Sequence, residues 1–371
     1  MKNSIGVIGI GKLGVCLALN LERAGFKVFG IEKNKRIVSS IKNNTYNNDE
    51  PKVGWLLNKS KYITVSTDIS LLLREKIEII FLTVATPSSE DKTSYDHSQI
   101  ERVVNDLLKI KFKTYPVHLV IVCTTTPGYC DALSERLKPF NIIVSYNPEF
   151  IAQGSIIKDQ QYPDQILIGA NNKKSGDIVE SINKKISKNK PIINTMSLLS
   201  AEITKLAINC YLTTKISFAN SIGDLSVKNN LKSSQILNAI SSDSRIGKKY
   251  LRYGDGYGGP CLPRDNRVLY AYAKQCDIKL HIGKATDLAN TDHLDFQLEQ
   301  LLKNNPPETI FTFENLSYKN GTSMIEESQK LLLAVKVAKN DRTVLIKDSN
   351  GIISEIKALY GDLFIYKIIK K

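Results

Sequence analysis

Ile5-Gly6-Val7-Ile8-Gly9-Ile10-Gly11-Lys12-Leu13-Gly14 decides the fold. A short apolar run leads directly into a Gly-x-Gly-x-x-Gly turn, and a helical pattern (Val15–Ala24) follows it. The three glycines do different things. Gly9 permits the tight turn, Gly11 lets backbone approach a pyrophosphate, and Gly14 lets helix pack closely on strand. The N–H groups of the new helix, with Lys12 and Leu13 in its first turn, then face the phosphates. Glu32 closes the next apolar run (Lys27–Ile31) about 20 residues on, where a carboxylate accepts from both ribose hydroxyls and repels a 2′-phosphate. The cofactor expected is therefore NAD rather than NADP, a preference that the neighbouring Lys33 weakens. Glycines serving only to pack a βαβ unit are the alternative, but strand, turn, helix and acidic residue all coincide here.

Outward from this turn, apolar runs alternate with helical patterns: Ile77–Val84, Val117–Val122, Asn141–Tyr146 and Gln165–Gly169. Such alternation predicts an α/β fold, a Rossmann-like doubly wound parallel sheet with helices on both faces. A helix over Lys35–Lys42, a polar loop to Val53 and a strand at Ile63–Ser66 complete this part. From Ser197 to Lys228 the pattern is helical with few breakers, which predicts one long central helix connecting two lobes. A long helix of this kind often pairs with a second copy, so a homodimer is expected. Shorter helices are expected over Ser234–Ser241 and Pro263–Gln275. Past Pro306-Pro307 a strand (Thr309–Glu314), a helix (Ser328–Ala338) and a strand (Arg342–Ile346) make a smaller C-terminal α/β domain. The expected division is residues 1–196, 197–290 and 291–371.

The 371 residues are 42% hydrophobic and 24% charged, ordinary values for a water-soluble globular chain. No window approaches the roughly 18 apolar residues of a membrane span. The first strand begins almost at Met1, leaving no room for a signal peptide. The six cysteines are scattered, with neither a CxxC pair nor metal-ligand spacing. They read as reduced thiols in a cytoplasmic protein that carries no metal. A net charge of +14 raises the question of nucleic acid. The excess, however, sits in Lys/Asn-rich stretches such as Asn183–Lys190 and the tail Lys367–Lys371, without arginine clusters among aromatics. These read as solvated faces, with neither a nucleic-acid nor a membrane partner.

A second stretch carries the chemistry: Gly258-Gly259-Pro260-Cys261-Leu262-Pro263-Arg264-Asp265. Its glycines deliver Cys261 to a helix start, because Pro263 suits the first turn and Asp265 the positive end of the dipole. A thiol in that position ionises more readily and is the better nucleophile. Lys205 and Asn209 stand four apart in the long helix and share one face. A thiol, an amine, an amide and a carboxylate are the groups an enzyme needs to carry an acyl group through a thioester. An inert thiol and a surface lysine are the plainer readings of Cys261 and Lys205.

With these pieces the chain resembles the nucleotide-sugar dehydrogenases of the UDP-glucose/GDP-mannose type. The resemblance runs in order through Gly9–Gly14, Ala85-Thr86-Pro87-Ser88, Thr124-Thr125-Thr126-Pro127 and Asn147-Pro148-Glu149-Phe150. It continues through Ala201–Lys205 with Asn209, Asp243-Ser244-Arg245-Ile246-Gly247, and Gly256–Cys261 with Asp265. It implies a four-electron oxidation of a sugar CH2OH to a carboxylate with two NAD per turnover, UDP-glucose being the favoured substrate. Cys261 would be the nucleophile, Lys205 and Asn209 would stabilise the oxyanions, and Glu149 with Asp265 and Thr125 would handle protons. The family's cofactor contacts map onto Thr86, Pro87 and Thr125. Its substrate contacts map onto Glu149, Phe150, Ile151, Lys205, Asn209, Tyr250, Arg252, Tyr257, Gly258 and Lys319, with Arg245 reaching the neighbouring subunit's substrate.

The sequence also departs from the family. Gly128-Tyr129 follows Pro127 in place of the commoner Val-Gly or Pro-Gly, and Gln153 stands where many relatives carry Glu. Glu326 stands where many UDP-glucose enzymes have an arginine that contacts the nucleotide, and the last domain looks shorter than usual. Three alternatives therefore stay open: the same reaction on GDP-mannose or a UDP-N-acetylhexosamine, a two-electron hydroxyacid-type dehydrogenase needing no cysteine, and a non-catalytic polyanion-binding protein.

Overall fold

Apolar residues along β1 (Ser4–Ile8) bury four of its five positions and make it a central strand. The computed structural model describes residues 4–48, 50–110, 115–319 and 321–369, so Lys370 and Lys371 of the basic tail lie outside it. It divides into two units, one up to Lys205 and one from Leu206 onward.

In the first unit β1 is followed by α1 (Lys12–Arg23), β2 (Lys27–Ile31), α2 (Lys35–Lys42), α3 (Val53–Lys59), β3 (Ile63–Ser66), α4 (Leu71–Arg74) and β4 (Ile79–Leu82). Then come α5 (Ser98–Ile110), β5 (Val117–Ile121), α6 (Tyr129–Leu137), β6 (Ile142–Tyr146), α7 (Ile156–Gln161), β7 (Gln165–Ala170), α8 (Lys173–Ile186) and β8 (Ile192–Met196). The long helix α9 (Leu198–Lys228) begins in this unit and continues into the next. The eight strands lie in the order β3-β2-β1-β4-β5-β6-β7-β8. The chain therefore reverses its winding between β1 and β4, which opens a crevice at their carboxyl ends.

One layer of the core packs Val7, Val28 and Val120 against Val15, Leu19 and Val179. The other packs Ile8, Leu82 and Ile121 against Ile100, Val104 and Leu133. Two apolar faces require helices on both sides of the sheet, as the alternation predicts.

The sheet is the expected doubly wound parallel one, with a single antiparallel pair. β7 runs antiparallel to β6, pairing Ser145 with Ala170 and Tyr146 with Gly169, and β8 then runs parallel to β7. An apolar run reads the same in either direction, so strand sense is set by the connection and not by the run. Here the Asn147 amide donates to the Leu167 carbonyl at 2.9 Å and ties the returning strand in place.

The second unit holds the rest of α9, α10 (Ser233–Ser242), α11 (Leu262–Gln275), α12 (His281–Lys303), β9 (Phe311–Glu314), α13 (Gln329–Ala338), β10 (Val344–Asp348), α14 (Asn350–Tyr360) and β11 (Ile365–Ile368). Its strands form a small parallel sheet in the order β11-β10-β9. Phe311, Leu331, Val335, Ile346 and Ile353 form its core.

Gly169 tests the packing of the first unit. A Cβ there would stand 3.0 Å from the Ala201 Cβ and 3.1 Å from the Leu198 Cα, so little can yield. Gly169→Val should cost about 1–3 kcal/mol by overpacking. Thermal unfolding followed by circular dichroism should show the transition lowered by several degrees.

Candidate active site

The first unit places the glycine turn at the carboxyl end of β1. Gly9 sits at φ +93°, and an added Cβ would meet the Thr83 backbone at 3.0 Å. A Cβ on Gly14 would lie 2.0 Å from the Gly9 carbonyl oxygen, so helix and turn touch backbone to backbone. Gly11 differs, for its Cβ would meet nothing within 4 Å. It is the N-cap of α1, where first-turn N–H groups have no helical partner. Lys12 and Leu13 open that helix and are partly exposed. Glu32 follows β2 and accepts from the Asn34 N–H at 2.9 Å, while Lys33 beside it is exposed. The Thr86 hydroxyl donates to the Thr124 carbonyl at 2.8 Å, and the Pro87 carbonyl accepts from Asp96 N at 2.8 Å.

The turn after β5 is held by a buried carboxylate on α9. Glu202, with 0% of its surface exposed, accepts from Thr125 Oγ1 at 2.7 Å, Gly128 N at 2.7 Å and Cys130 N at 2.9 Å. Burial raises its pKa, and those hydrogen bonds oppose the rise. Thr125 thus gives its only hydroxyl proton to Glu202 and keeps only lone pairs for another partner. The departure at Gly128-Tyr129 has a local consequence. Gly128 takes φ +92°, and the Tyr129 ring stacks on His97 at 3.8 Å between centroids. The Thr126 N–H donates to Nε2 of His97 at 3.2 Å, and burial lowers that imidazole to about 4, so it stays neutral.

Two predicted side chains meet after β6. Lys205 is buried; its ammonium donates to the Glu149 carbonyl at 2.8 Å and lies 4.5 Å from the Phe150 ring centroid. That contact removes the surface-lysine reading. The Glu149 carboxylate accepts one hydrogen bond, from the Gln160 amide at 3.2 Å. Burial pushes the Glu149 carboxyl up to about 7, opposed by the Gln160 hydrogen bond and the charge of Lys205. Ile151 packs partly buried beside the core.

The second unit carries the thiol. Cys261 is exposed at the N-cap of α11, with Pro263 and Asp265 in the first turn. The Asp265 N–H donates to the Cys261 carbonyl at 2.9 Å, and its buried carboxylate accepts from the Asn209 amide at 2.6 Å. Tyr257, expected among the substrate contacts, is buried, and its phenol donates to Asp287. Its N–H donates to the Asn290 side-chain oxygen at 2.9 Å, and its carbonyl accepts from the same amide at 3.1 Å. Tyr257 therefore props the thiol loop and presents no free hydroxyl.

Arg245 forks onto its own neighbour Asp243, through Nε at 3.0 Å and Nη2 at 2.7 Å. Tyr250, at φ +64°, Arg252 and Lys319 are exposed. Glu202, Gln160, Asp287 and Asn290 escape a reading of the sequence. Their partners lie 11 to 77 residues away along the chain, where no local pattern can announce them.

A glycine turn under a helix N-terminus at the switch point of a doubly wound sheet, with a carboxylate at the end of β2, defines a dinucleotide-binding protein. The NAD binding domain of the UDP-glucose/GDP-mannose dehydrogenase family matches residues 3–187, and the family's central domain matches residues 199–292. The chain is 27% identical over 383 residues to a UDP-glucose 6-dehydrogenase of Rickettsia bellii, covering 98% of this chain and 85% of the relative. It is 30% identical over 300 residues to that of Rickettsia conorii, covering 79% of this chain and 68% of the relative. A solved UDP-glucose dehydrogenase from Pyrobaculum islandicum shares the fold, with a TM-score of 0.88 at 24% identity over 99% of this chain and 86% of that one. The chain belongs to the UDP-glucose/GDP-mannose dehydrogenase family. It is an NAD-dependent dehydrogenase of nucleotide sugars.

The residues present fit NAD. The space over Gly11 lets a diphosphate reach the α1 N–H groups, and the Glu32 carboxylate suits ribose hydroxyls. Among the described residues no group of three His, Cys, Asp or Glu could hold a metal ion, and no helix is long and apolar enough to cross a membrane.

Glu149 supplies the test of this geometry. Its folded value of about 7 lies above the ordinary 4.5, so the folded chain binds this proton more tightly than the unfolded chain. Its contribution to stability is full below pH about 4.5 and is lost as pH rises through about 7. Carboxyl titration by infrared difference spectroscopy should show a band near pH 7 that disappears in Glu149→Gln. In Lys205→Met, which removes the opposing charge, the band should move higher.

Proposed function

We propose that the chain oxidises C6 of UDP-glucose to the carboxylate of UDP-glucuronate in two NAD-dependent steps, through a covalent intermediate on Cys261. One observation carries the reading. Of the six thiols, Cys16, Cys123, Cys130 and Cys210 are buried, while Cys261 and Cys276 are exposed at opposite ends of α11. The helix dipole favours a thiolate at the N-terminal end, where Cys261 stands, and Cys276 stands at the other end.

NAD, when bound, accepts the electron pair and hydrogen that leave C6 in each oxidation, two NADH in all. Glu149, with a carboxyl near neutrality, takes the hydroxyl proton in the first oxidation and leaves an aldehyde. The Cys261 thiolate then adds to that aldehyde. A C–S bond forms and the carbonyl electrons move to oxygen, an alkoxide that Lys205 and Asn209 stabilise. Asn209 spends one amide N–H on Asp265, which leaves the second for that oxygen. Loss of the second hydride leaves a thioester. Water adds to it, the C–S bond breaks, and the thiol is restored beside a carboxylate. In balance, one CH2OH, two NAD and one water give one carboxylate, two NADH and three protons.

Arg245, Tyr250, Arg252, Gly258 and Lys319 would recognise the nucleotide sugar, and Thr86, Pro87 and Thr125 would line the cofactor. The Asp243–Gly247 and Gly256–Gly259 stretches, and the names of the Rickettsia relatives, support UDP-glucose. The exposed Glu326 favours a second reading, the same reaction on another nucleotide sugar, because an acid cannot make an arginine's contact to an anionic nucleotide. A panel of nucleotide sugars separates the two. UDP-glucose should give two NADH per molecule consumed, whereas Cys261→Ser should yield no carboxylate and stall or release aldehyde. Robust turnover of a different sugar, with none of UDP-glucose, would select the second reading.

We also propose a cytoplasmic homodimer joined through α9. Tyr211, Phe218 and Leu225 recur at seven-residue intervals and remain 61%, 48% and 61% exposed, an apolar stripe suited to a copy of itself. Light scattering on the eluting protein should give twice the 41.5 kDa chain mass, and Phe218→Glu with Leu225→Glu should return it to one.

A further inference from the structure

Glu327 occupies a backbone position that disfavours it. Its φ is +47°, in the left-handed region, where a residue other than glycine carries a steric cost. The surroundings are a fork. Nη1 of Arg267 donates to one Glu327 oxygen at 2.6 Å and Nη2 to the other at 2.9 Å, while Nε reaches Asp287 at 3.0 Å. Asp287 is the same carboxylate that accepts from the Tyr257 phenol. Arg267 lies six residues after Cys261 on α11, and Tyr257 four residues before it. One ionic cluster thus grips the chain on both sides of the thiol.

The backbones interlock as well. Gly259 N–H donates to the Glu326 carbonyl at 3.1 Å. A Cβ on Gly258 would lie 2.2 Å from the Glu327 carbonyl oxygen, and one on Gly259 would lie 2.3 Å from the Tyr318 ring. The turn that delivers Cys261 is therefore shaped by contact with Tyr318, Glu326 and Glu327. A partly buried ion pair on strained backbone is a poor source of stability, since desolvation offsets much of its attraction. Fixing geometry is the role that remains for it.

We propose that Arg267 and Glu327 are positioning residues for Cys261, their fork holding residues 325–328 against the Gly258-Gly259 turn so that the thiol stays at the start of α11. The inference rests on Cys261 as nucleophile. It assigns to the segment beside Glu326 a role independent of nucleotide recognition.

The experiment compares Glu327→Gly and Arg267→Lys in a Cys276→Ser background, which leaves Cys261 as the exposed thiol. Glu327→Gly deletes the fork while relieving the positive-φ strain, and Arg267→Lys keeps the charge without the planar fork. Both should lower kcat about 10- to 100-fold, the cost of a reacting group misplaced by about an ångström. Alkylation of Cys261 by iodoacetamide at a pH of about 7.5, read by mass spectrometry, should slow severalfold. The KM for NAD and the melting temperature should stay put. Unchanged kcat and alkylation, or losses that track a falling melting temperature, would overturn the proposal. Full carboxylate production by Cys261→Ser would instead remove the nucleophile reading, and the alkylation rates would still report whether the fork positions the thiol.

Discussion

A carboxylate with no exposed surface holds the cofactor unit's most demanding loop. Glu202 enters from α9 and satisfies the Thr125 hydroxyl and the Gly128 and Cys130 N–H groups. Burying a lone carboxylate is costly, but three short hydrogen bonds to it are the strong, charge-assisted kind. They also give buried backbone N–H groups of the turn an acceptor that no strand or helix provides. With Leu198 and Ala201 of the same helix packed into the sheet's core, α9 is anchored by apolar contact and registered by charge. Lys205, one turn further along, inherits that register, and its contact with the Glu149 carbonyl follows from it.

Glu149 and Glu202 show how the same residue type meets two different settings. Burial raises both carboxyls. Glu202 has three donors at 2.7–2.9 Å that favour its charged form, and its oxygens are committed to the turn. Glu149 has one amide at 3.2 Å and a lysine whose ammonium binds its backbone rather than its carboxylate. Its proton is therefore held more tightly than an ordinary carboxyl's and exchanges near neutrality, as the proposed general base requires. Donor supply, more than burial, separates the two.

Much of this is legible in the sequence where the physics is local. The glycine turn after β1 combines an apolar run, a fixed spacing and a helical pattern within about 20 residues, and α9 (Leu198–Lys228) nearly coincides with the predicted Ser197–Lys228. Pro263 and Asp265 mark the start of α11 because first-turn chemistry is written in adjacent residues. α12 leaves no such mark, since Ile282 and Leu288 stay exposed along it and its apolar residues trace no clean stripe. β7 is legible without its direction, which depends on the connection from β6 and not on the apolar run itself. The partner of the Tyr257 phenol is hidden for the same reason, as Asp287 is 30 residues distant. The candidate nucleophile can be named from sequence, whereas the groups that hold its neighbourhood in place cannot.

The smaller sheet domain gains a role from this distinction. Its sheet of three parallel strands encloses a modest core around Phe311, Val344 and Ile346, and Glu326 is exposed in the segment that leads into α13. Yet the segment leading into α13 passes within van der Waals reach of Gly258 and Gly259, the two positions where a side chain would collide. A nucleophile on a turn with room to move samples many orientations, and few of them are productive. Close backbone contact from a second element removes that freedom without adding a group to the chemistry. On this view the domain bears on reaction geometry before it bears on substrate choice. A Cβ added at Gly258 or Gly259 would disturb the turn that carries Cys261 through sterics alone.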